Sequence, residues 1–175
     1  HLDIKPSNII LREGTGEVVL IDFGLSRHLH LPDLMAEEFL LPYGTAPYMA
    51  PEQVFGIRTD PKSDLFALGC MMYFFVTNRR PFGDPQSLNG LKKRLWWDPT
   101  PPRALNAEVP PWLQETILRC LAPDPVARHP TAAQLAFELP RTEAASLRQV
   151  VDPHEAAAAQ REAGRLPDGV GHAHR

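Results

Sequence analysis

Ser63-Asp64-Leu65-Phe66-Ala67-Leu68-Gly69-Cys70-Met71-Met72-Tyr73-Phe74-Phe75-Val76 is the stretch from which the fold is read. Its apolar residues fall on nearly every side of a helix rather than along one stripe, so the spacing predicts a helix buried almost all round. Such a helix needs neighbours on several faces and becomes the hub of a core. Its longest apolar run, Leu65 to Val76, covers 12 residues. A bilayer span needs ~20, so no membrane segment is expected.

Downstream of the hub, Pro81-Phe82-Gly83-Asp84-Pro85 breaks the pattern, and Ser87 to Trp97 predicts a short helix carrying Lys92, Lys93 and Arg94. That basic run, with Arg79 and Arg80, reads as a solvated face. Trp96, Trp97 and Trp112 are expected in the core or in helix packing. Pro99 to Pro111 reads as a structured connector, and Pro111 can fill the first turn of a helix running to Cys120, with Trp112, Leu113, Ile117 and Leu118 on its apolar stripe. His129-Pro130-Thr131 opens a last helix containing Leu135 and Leu139. From residue 141 the composition turns to Ala, Glu, Arg and Gly, so 141–175 is expected to be a poorly ordered tail or linker. Upstream, Asn8 to Leu11 and Val18 to Ile21 are β-branched runs flanking a turn with two glycines, a β-hairpin signature. Ser26 to Pro51 holds no period and four prolines, and reads as a long irregular segment. The fold class is therefore mainly α with a small β-hairpin.

The chain has 175 residues, 43% apolar and 22% charged, enough for one domain or part of one. Its 18 Lys and Arg against 21 Asp and Glu give a net charge of −3, which argues against nonspecific nucleic-acid binding. Cys70 and Cys120, each inside an apolar helical pattern, read as buried reduced thiols. His28/His30 and His172/His174 lack Cys or carboxylate companions and read as surface or tail histidines rather than metal ligands. No signal peptide is visible, so a cytoplasmic location is the default expectation. With functional-looking residues at once from His1, the chain is read as a fragment.

The chemistry sits near the start. Asp3 and Asn8 are separated by Ile4-Lys5-Pro6-Ser7, and Asp22-Phe23-Gly24 follows one hairpin later. Asn8 and Asp22 supply the oxygen ligands that a hard cation such as Mg²⁺ accepts alongside phosphates and water. Asp3 is left to take a proton or orient a hydroxyl, and Lys5 can set positive charge beside a transferring phosphoryl group.

These residues resemble the eukaryotic-like (Hanks-type) serine/threonine protein kinases, specifically the C-terminal lobe of their catalytic domain. The matching pieces are His1-Leu2-Asp3-Ile4-Lys5-Pro6-Ser7-Asn8, Asp22-Phe23-Gly24, Gly44-Thr45-Ala46-Pro47-Tyr48-Met49-Ala50-Pro51-Glu52, Ser63 to Gly69, and Cys120-Leu121-Ala122-Pro123-Asp124-Pro125 with Arg128. The resemblance, closest to bacterial members, implies a C-lobe over residues 1–140 of a two-lobed α+β parent whose N-lobe is missing here. It implies Asp3 as catalytic base, Lys5 as phosphate-side cation, and Thr45 shaping the acceptor site. Asn8 and Asp22 would hold Mg²⁺, or Mn²⁺ in its place, on ATP, and Ile10 would lie under the adenine. His1 and Phe23 would stack in an internal spine, Asp64 would tie the first loop to the hub helix, and Glu52 with Arg128 would form a buried ion pair.

The implied function is ATP-dependent phosphoryl transfer to Ser or Thr of a protein substrate. A kinase-like pseudoenzyme scaffold and a small-molecule phosphotransferase are the alternatives. Two departures stand out. Leu2 occupies the position where the family often has an Arg that grips an activating phosphate, and His28 to Pro42 contains no Ser, Thr or Tyr, so activation by phosphate in that stretch is not expected. No Gly-rich phosphate loop, strand Lys, helical Glu or hinge occurs in these residues. The isolated chain is therefore expected to be inactive and poorly soluble, with Phe66, Met71 or Phe74 in an exposed apolar patch.

Overall fold

The computed structural model describes residues 1–28, 30–33 and 42–139. The tail expected over 141–175, with His172 and His174, lies outside them. Ile9–Leu11 (β1) and Val18–Leu20 (β2) pair antiparallel, with Ile10 opposite Val19. Gly14 and Gly16, at φ 84° and 70°, take the left-handed conformations the turn requires. Among the described residues no regular element follows until the single-turn helix Pro51–Val54 (α1), which the sequence reading leaves out. Its start is fixed by Gln53, whose Oε1 accepts from Ala50 N at 2.9 Å.

The hub helix spans Lys62–Thr77 (α2) and ends on Asn78 in a left-handed conformation. Leu65, Phe66, Ala67, Cys70, Met71, Tyr73 and Val76 are all buried. Pro111–Cys120 (α5), opened by its proline, is the helix packed most extensively on α2. The two backbones approach closely at Gly69, where an added Cβ would lie 2.7 Å from Cys120 Cβ. Phe66, Tyr73 and Val76 of α2 join Phe82, Val109, Leu113, Ile117 and Leu121 in the main core, and Leu65, Cys120 and Leu135 form a smaller cluster beneath Ala132–Glu138 (α6). Polar ends are satisfied: Asn106 Nδ2 donates to Val76 O and Tyr73 Oη to Thr100 O. Burial pushes the Cys70 and Cys120 thiols up to about 12, so both are inert reduced cysteines.

Four expectations are corrected. Phe66 and Met71 do not lie in an exposed patch: both are buried, Phe66 among Phe82, Leu113 and Ile117 of the main core. The helix expected over Ser87 to Trp97 divides into Leu88–Lys92 (α3) and a tighter turn over Lys93–Leu95, and the tighter winding redirects the side chains. Arg94 is turned fully inward and off the solvated face, while Trp96 and Trp97 stand 68% and 52% exposed, edge to face with one another. Trp112 does pack on the core. The proline connector also holds one helical turn, Pro102–Leu105 (α4). Among the described residues no helix is long and apolar enough to cross a membrane.

Candidate active site

Residues 1–8 enter the site through a conformation side chains rarely adopt. Leu2 has φ 69°, a costly value for a branched apolar residue. Three contacts hold it. The backbone nitrogens of His1 and Leu2 each donate to the Asp64 carboxylate at 2.8 Å, and Gln53 Nε2 donates to Leu2 O at 2.9 Å. Gly44 closes over the same carbonyl, at φ 107°, and a Cβ there would meet Leu2 O at 3.1 Å. The His1 ring lies 4.9 Å from the Phe23 ring. Its Nε2 is 2.9 Å from Ile21 O and its Nδ1 accepts from Asp3 N, which fixes the proton on Nε2.

Asp3 lies at the centre of a closed hydrogen-bonded cluster. Its Oδ1 accepts from Thr45 N at 2.9 Å and Thr45 Oγ1 at 2.8 Å. Its Oδ2 faces Lys5 Nζ at 2.7 Å and accepts a longer bond from Asn8 Nδ2 at 3.3 Å. Lys5 Nζ also donates to Thr45 Oγ1 at 2.9 Å, and Asn8 Nδ2 to Asp3 O at 2.9 Å. The carboxylate is thus oriented by four donors, with its long-stemmed partner Lys5 the one most able to move aside. A fixed carboxylate with a cation beside it can accept a proton from a hydroxyl and offset charge next to it.

Asn8 O accepts from Ile21 N at 2.9 Å, which sets Asp22 one residue beyond that bond. Asp22 is exposed at φ 60°, and its Oδ1 accepts from Gly24 N at 3.3 Å. The donor set suits a hard cation. Asn8 spends its amide nitrogen on Asp3, which turns its Oδ1 free among the described residues, and Asp22 offers an open carboxylate. Ile10, on β1, is 48% exposed. No cluster of three or more His, Cys, Asp or Glu suited to a metal occurs among the described residues.

The segment that carries Thr45 is anchored by buried charge. Arg128 meets Glu52 in a two-pronged pair at 2.7 and 2.9 Å, and its other donors reach Lys62 O, Ala122 O and Pro123 O, so every guanidinium N–H is used. Burial alone would raise the Glu52 carboxyl; Arg128 and a 2.6 Å bond from Ser63 Oγ reverse this and hold it below the usual range. Arg58 of the α1–α2 connector joins two earlier stretches, donating to Asp33 Oδ2 at 3.2 Å and Leu25 O at 2.9 Å. Gln53, Arg58 and Arg94 escape the sequence reading. Gln53 could have been suspected from its place beside Glu52, whereas nothing in the local pattern distinguishes Arg94 from Lys92 and Lys93.

Residues 1–138 match the protein kinase domain family. The chain is 34% identical over 141 residues to the serine/threonine-protein kinase PknB of Mycolicibacterium smegmatis, covering 81% of this chain and 22% of that protein. It is 34% identical over 145 residues to the probable serine/threonine-protein kinase PknB of Corynebacterium glutamicum, and 33% identical over 141 residues to PknB of Mycobacterium tuberculosis, with the same coverage. The chain therefore spans about a fifth of the length of the curated relatives it matches.

Proposed function

The chain belongs to the protein kinase family, and from that premise we propose that it supplies the catalytic C-lobe of a longer protein that transfers the γ-phosphoryl group of ATP to Ser or Thr hydroxyls of proteins. The observation that carries this reading is the half-buried Asp3 carboxylate, fixed by Thr45, Lys5 and Asn8. Thr45 sets its direction. An acceptor hydroxyl takes up a position on Oδ2 where the Asn8 bond is long and Lys5 can withdraw. As the acceptor oxygen bonds to phosphorus, the bond from phosphorus to the ADP oxygen breaks and the hydroxyl proton passes to Asp3. Lys5 moves with the developing charge toward the phosphoryl oxygens. Asn8 Oδ1 and Asp22 are the groups proposed to hold Mg²⁺, or Mn²⁺ in its place, which when bound neutralises charge on the nucleotide phosphates. Ile10 offers an apolar surface to the adenine. The Lys5-Pro6 pairing favours Ser and Thr acceptors, and the Ala50-Pro51-Glu52 segment favours a polypeptide over a small alcohol. The isolated chain lacks the Gly-rich loop and strand Lys and is proposed to be inactive.

Phosphotransfer from Mg·ATP by the intact protein, with proteins, sugars and alcohols as acceptors, tests the reading. Asp3→Asn is expected to lower kcat by ~10²- to 10⁴-fold with the fold intact. Undiminished turnover in that variant, preference for a small alcohol, or an intact protein that binds partners without turnover would each overturn it.

A further inference from the structure

Ala46 to Glu52 is held at both ends by buried arginines, and an aromatic stack joins the two. Arg128, paired with Glu52, lies 5.0 Å over the Phe66 ring. Phe66 stacks on Phe82 with centroids 5.7 Å apart and planes 12° from parallel. The Arg94 guanidinium lies over the Phe82 ring as well, 5.6 Å from its centroid. From there Arg94 donates one N–H to Ala46 O at 3.0 Å and another to Met49 O. The order Arg128, Phe66, Phe82, Arg94 thus spans from the C-terminal end of the segment to its start.

The two ends differ in charge. Arg128 is neutralised by a carboxylate and has no N–H left over. Arg94 is fully buried, forms no ion pair among the described residues, and its Nε has no hydrogen-bond partner there. Burial also pulls its pKa down. A buried cation without a counter-ion is costly, and an apolar side chain of similar length would fill the space at lower cost. What such a side chain could not do is hold the carbonyls on either side of Pro47 and Tyr48. Those carbonyls belong to the stretch directly after Thr45, whose backbone and hydroxyl fix the Asp3 carboxylate.

We propose that Arg94 is a positioning residue for the protein acceptor, holding the backbone from Ala46 to Met49 so that a polypeptide laid along it presents its hydroxyl to Asp3. This rests on the phosphotransfer reading above. The neighbouring amides are also tied inward, Tyr48 N to Thr45 O and Ala50 N to Gln53 Oε1 at 2.9 Å each. The stretch therefore behaves as a rigid rail, and Arg94 is its only side-chain tie to the α3 region among the described contacts.

The test uses the intact protein with Arg94→Met and Arg94→Lys. In Arg94→Met the KM for a peptide acceptor should rise ~10-fold or more while the KM for ATP changes less than about twofold. Arg94→Lys, whose point charge cannot fork to two carbonyls, should fall between wild type and Arg94→Met, and it carries the test if the methionine variant does not fold. Amide hydrogen exchange over 45–50 should accelerate by about tenfold relative to the hairpin at 9–20. An unchanged acceptor KM, equal effects on both substrates, or uniform exchange throughout the domain would overturn the proposal. If the wild-type protein transfers nothing to protein acceptors, the preceding reading fails by itself. Exchange then still reads the part that does not rest on it, the hold of Arg94 on 45–50: selective acceleration supports that hold and uniform or absent acceleration sinks it.

Discussion

Leu2 and Asp22 carry the strain of the site, and both are left-handed although neither is glycine. Backbone strain of this kind persists only where the surroundings over-determine it. For Leu2 they do so through Asp64, which accepts from the backbone nitrogens of His1 and Leu2 at 2.8 Å, and through Gln53 on the Leu2 carbonyl. Asp64→Asn keeps the size but offers one acceptor oxygen in place of two and turns an NH₂ toward a backbone donor. It should cost about 1 to 3 kcal/mol in a denaturant titration of the intact protein. It should also lower kcat, since Asp3 follows the released residue. A variant with unchanged midpoint and unchanged kcat would show that Leu2 is held by Gln53 and Gly44 alone. At this scale the nearness of Asp3, Lys5 and Asn8 is legible in the sequence, because they fall within six residues of one another, whereas Thr45, 42 positions from Asp3, is tied to the site only by the kinase resemblance. Arg94 is not legible: a basic residue in a basic run points outward by default, and only the tight turn after α3 reverses it.

At the level of elements, periodicity predicts the hairpin, α2, α5 and the start of α6 within a residue or two, since each presents a long apolar pattern or a proline or threonine at its first turn. The single turns α1 and α4 are invisible to that reading because four residues cannot display a period. What sequence patterning does not convey is distance between helices. Gly69 is where α2 and α5 meet, and its hydrogen faces the Cβ of Cys120 at a separation no two carbons tolerate if a methyl is added. Gly69→Ala should destabilise the protein by ~1 to 3 kcal/mol through overpacking, although alanine is the better helix former. Cys120→Ala keeps the offending Cβ and should not rescue it; Cys120→Gly should recover part of the loss in thermal melts. Arg58 ties Leu25 and Asp33 to the α1–α2 connector. With Leu2 in place of a phosphate-gripping Arg, activity is expected without phosphate between His28 and Pro42. Mapping modified sites on active protein checks this, and strong activation by phosphate on Ser26 or Tyr43 would contradict it.

For the whole molecule the decisive balance is electrostatic, because the segment bearing Thr45 is secured to the helical body by a buried ion pair with little slack. Removing Arg128 strands a buried carboxylate, so Arg128→Met should cost ~3 to 5 kcal/mol near neutral pH. The pH dependence separates this from simple loss of packing. In the wild type the Glu52 carboxyl sits below its usual 4.5. Its contribution is present above that value and is lost as pH falls through the lowered one. His129 adds an earlier window. Burial, helped by the charge of Arg119 and opposed by Glu138, keeps its ring below the usual 6.5. As pH falls past 6.5 the unfolded chain binds a proton the native ring resists, and stability declines. Wild type should therefore weaken on acidification in two steps, the histidine first and the carboxylate second. In Arg128→Met, burial, the largest influence on Glu52, is opposed only by the Ser63 Oγ bond and the local backbone, and the carboxyl is expected to rise past its unfolded value. The sign for that group inverts, and protonation now relieves the stranded charge. The stability gap between wild type and Arg128→Met should accordingly shrink between pH 7 and about pH 4. Denaturant midpoints across that range check it. A gap that stays constant with pH would mean that Arg128 holds the segment by its carbonyl contacts and its face on Phe66, with the Glu52 charge contributing little.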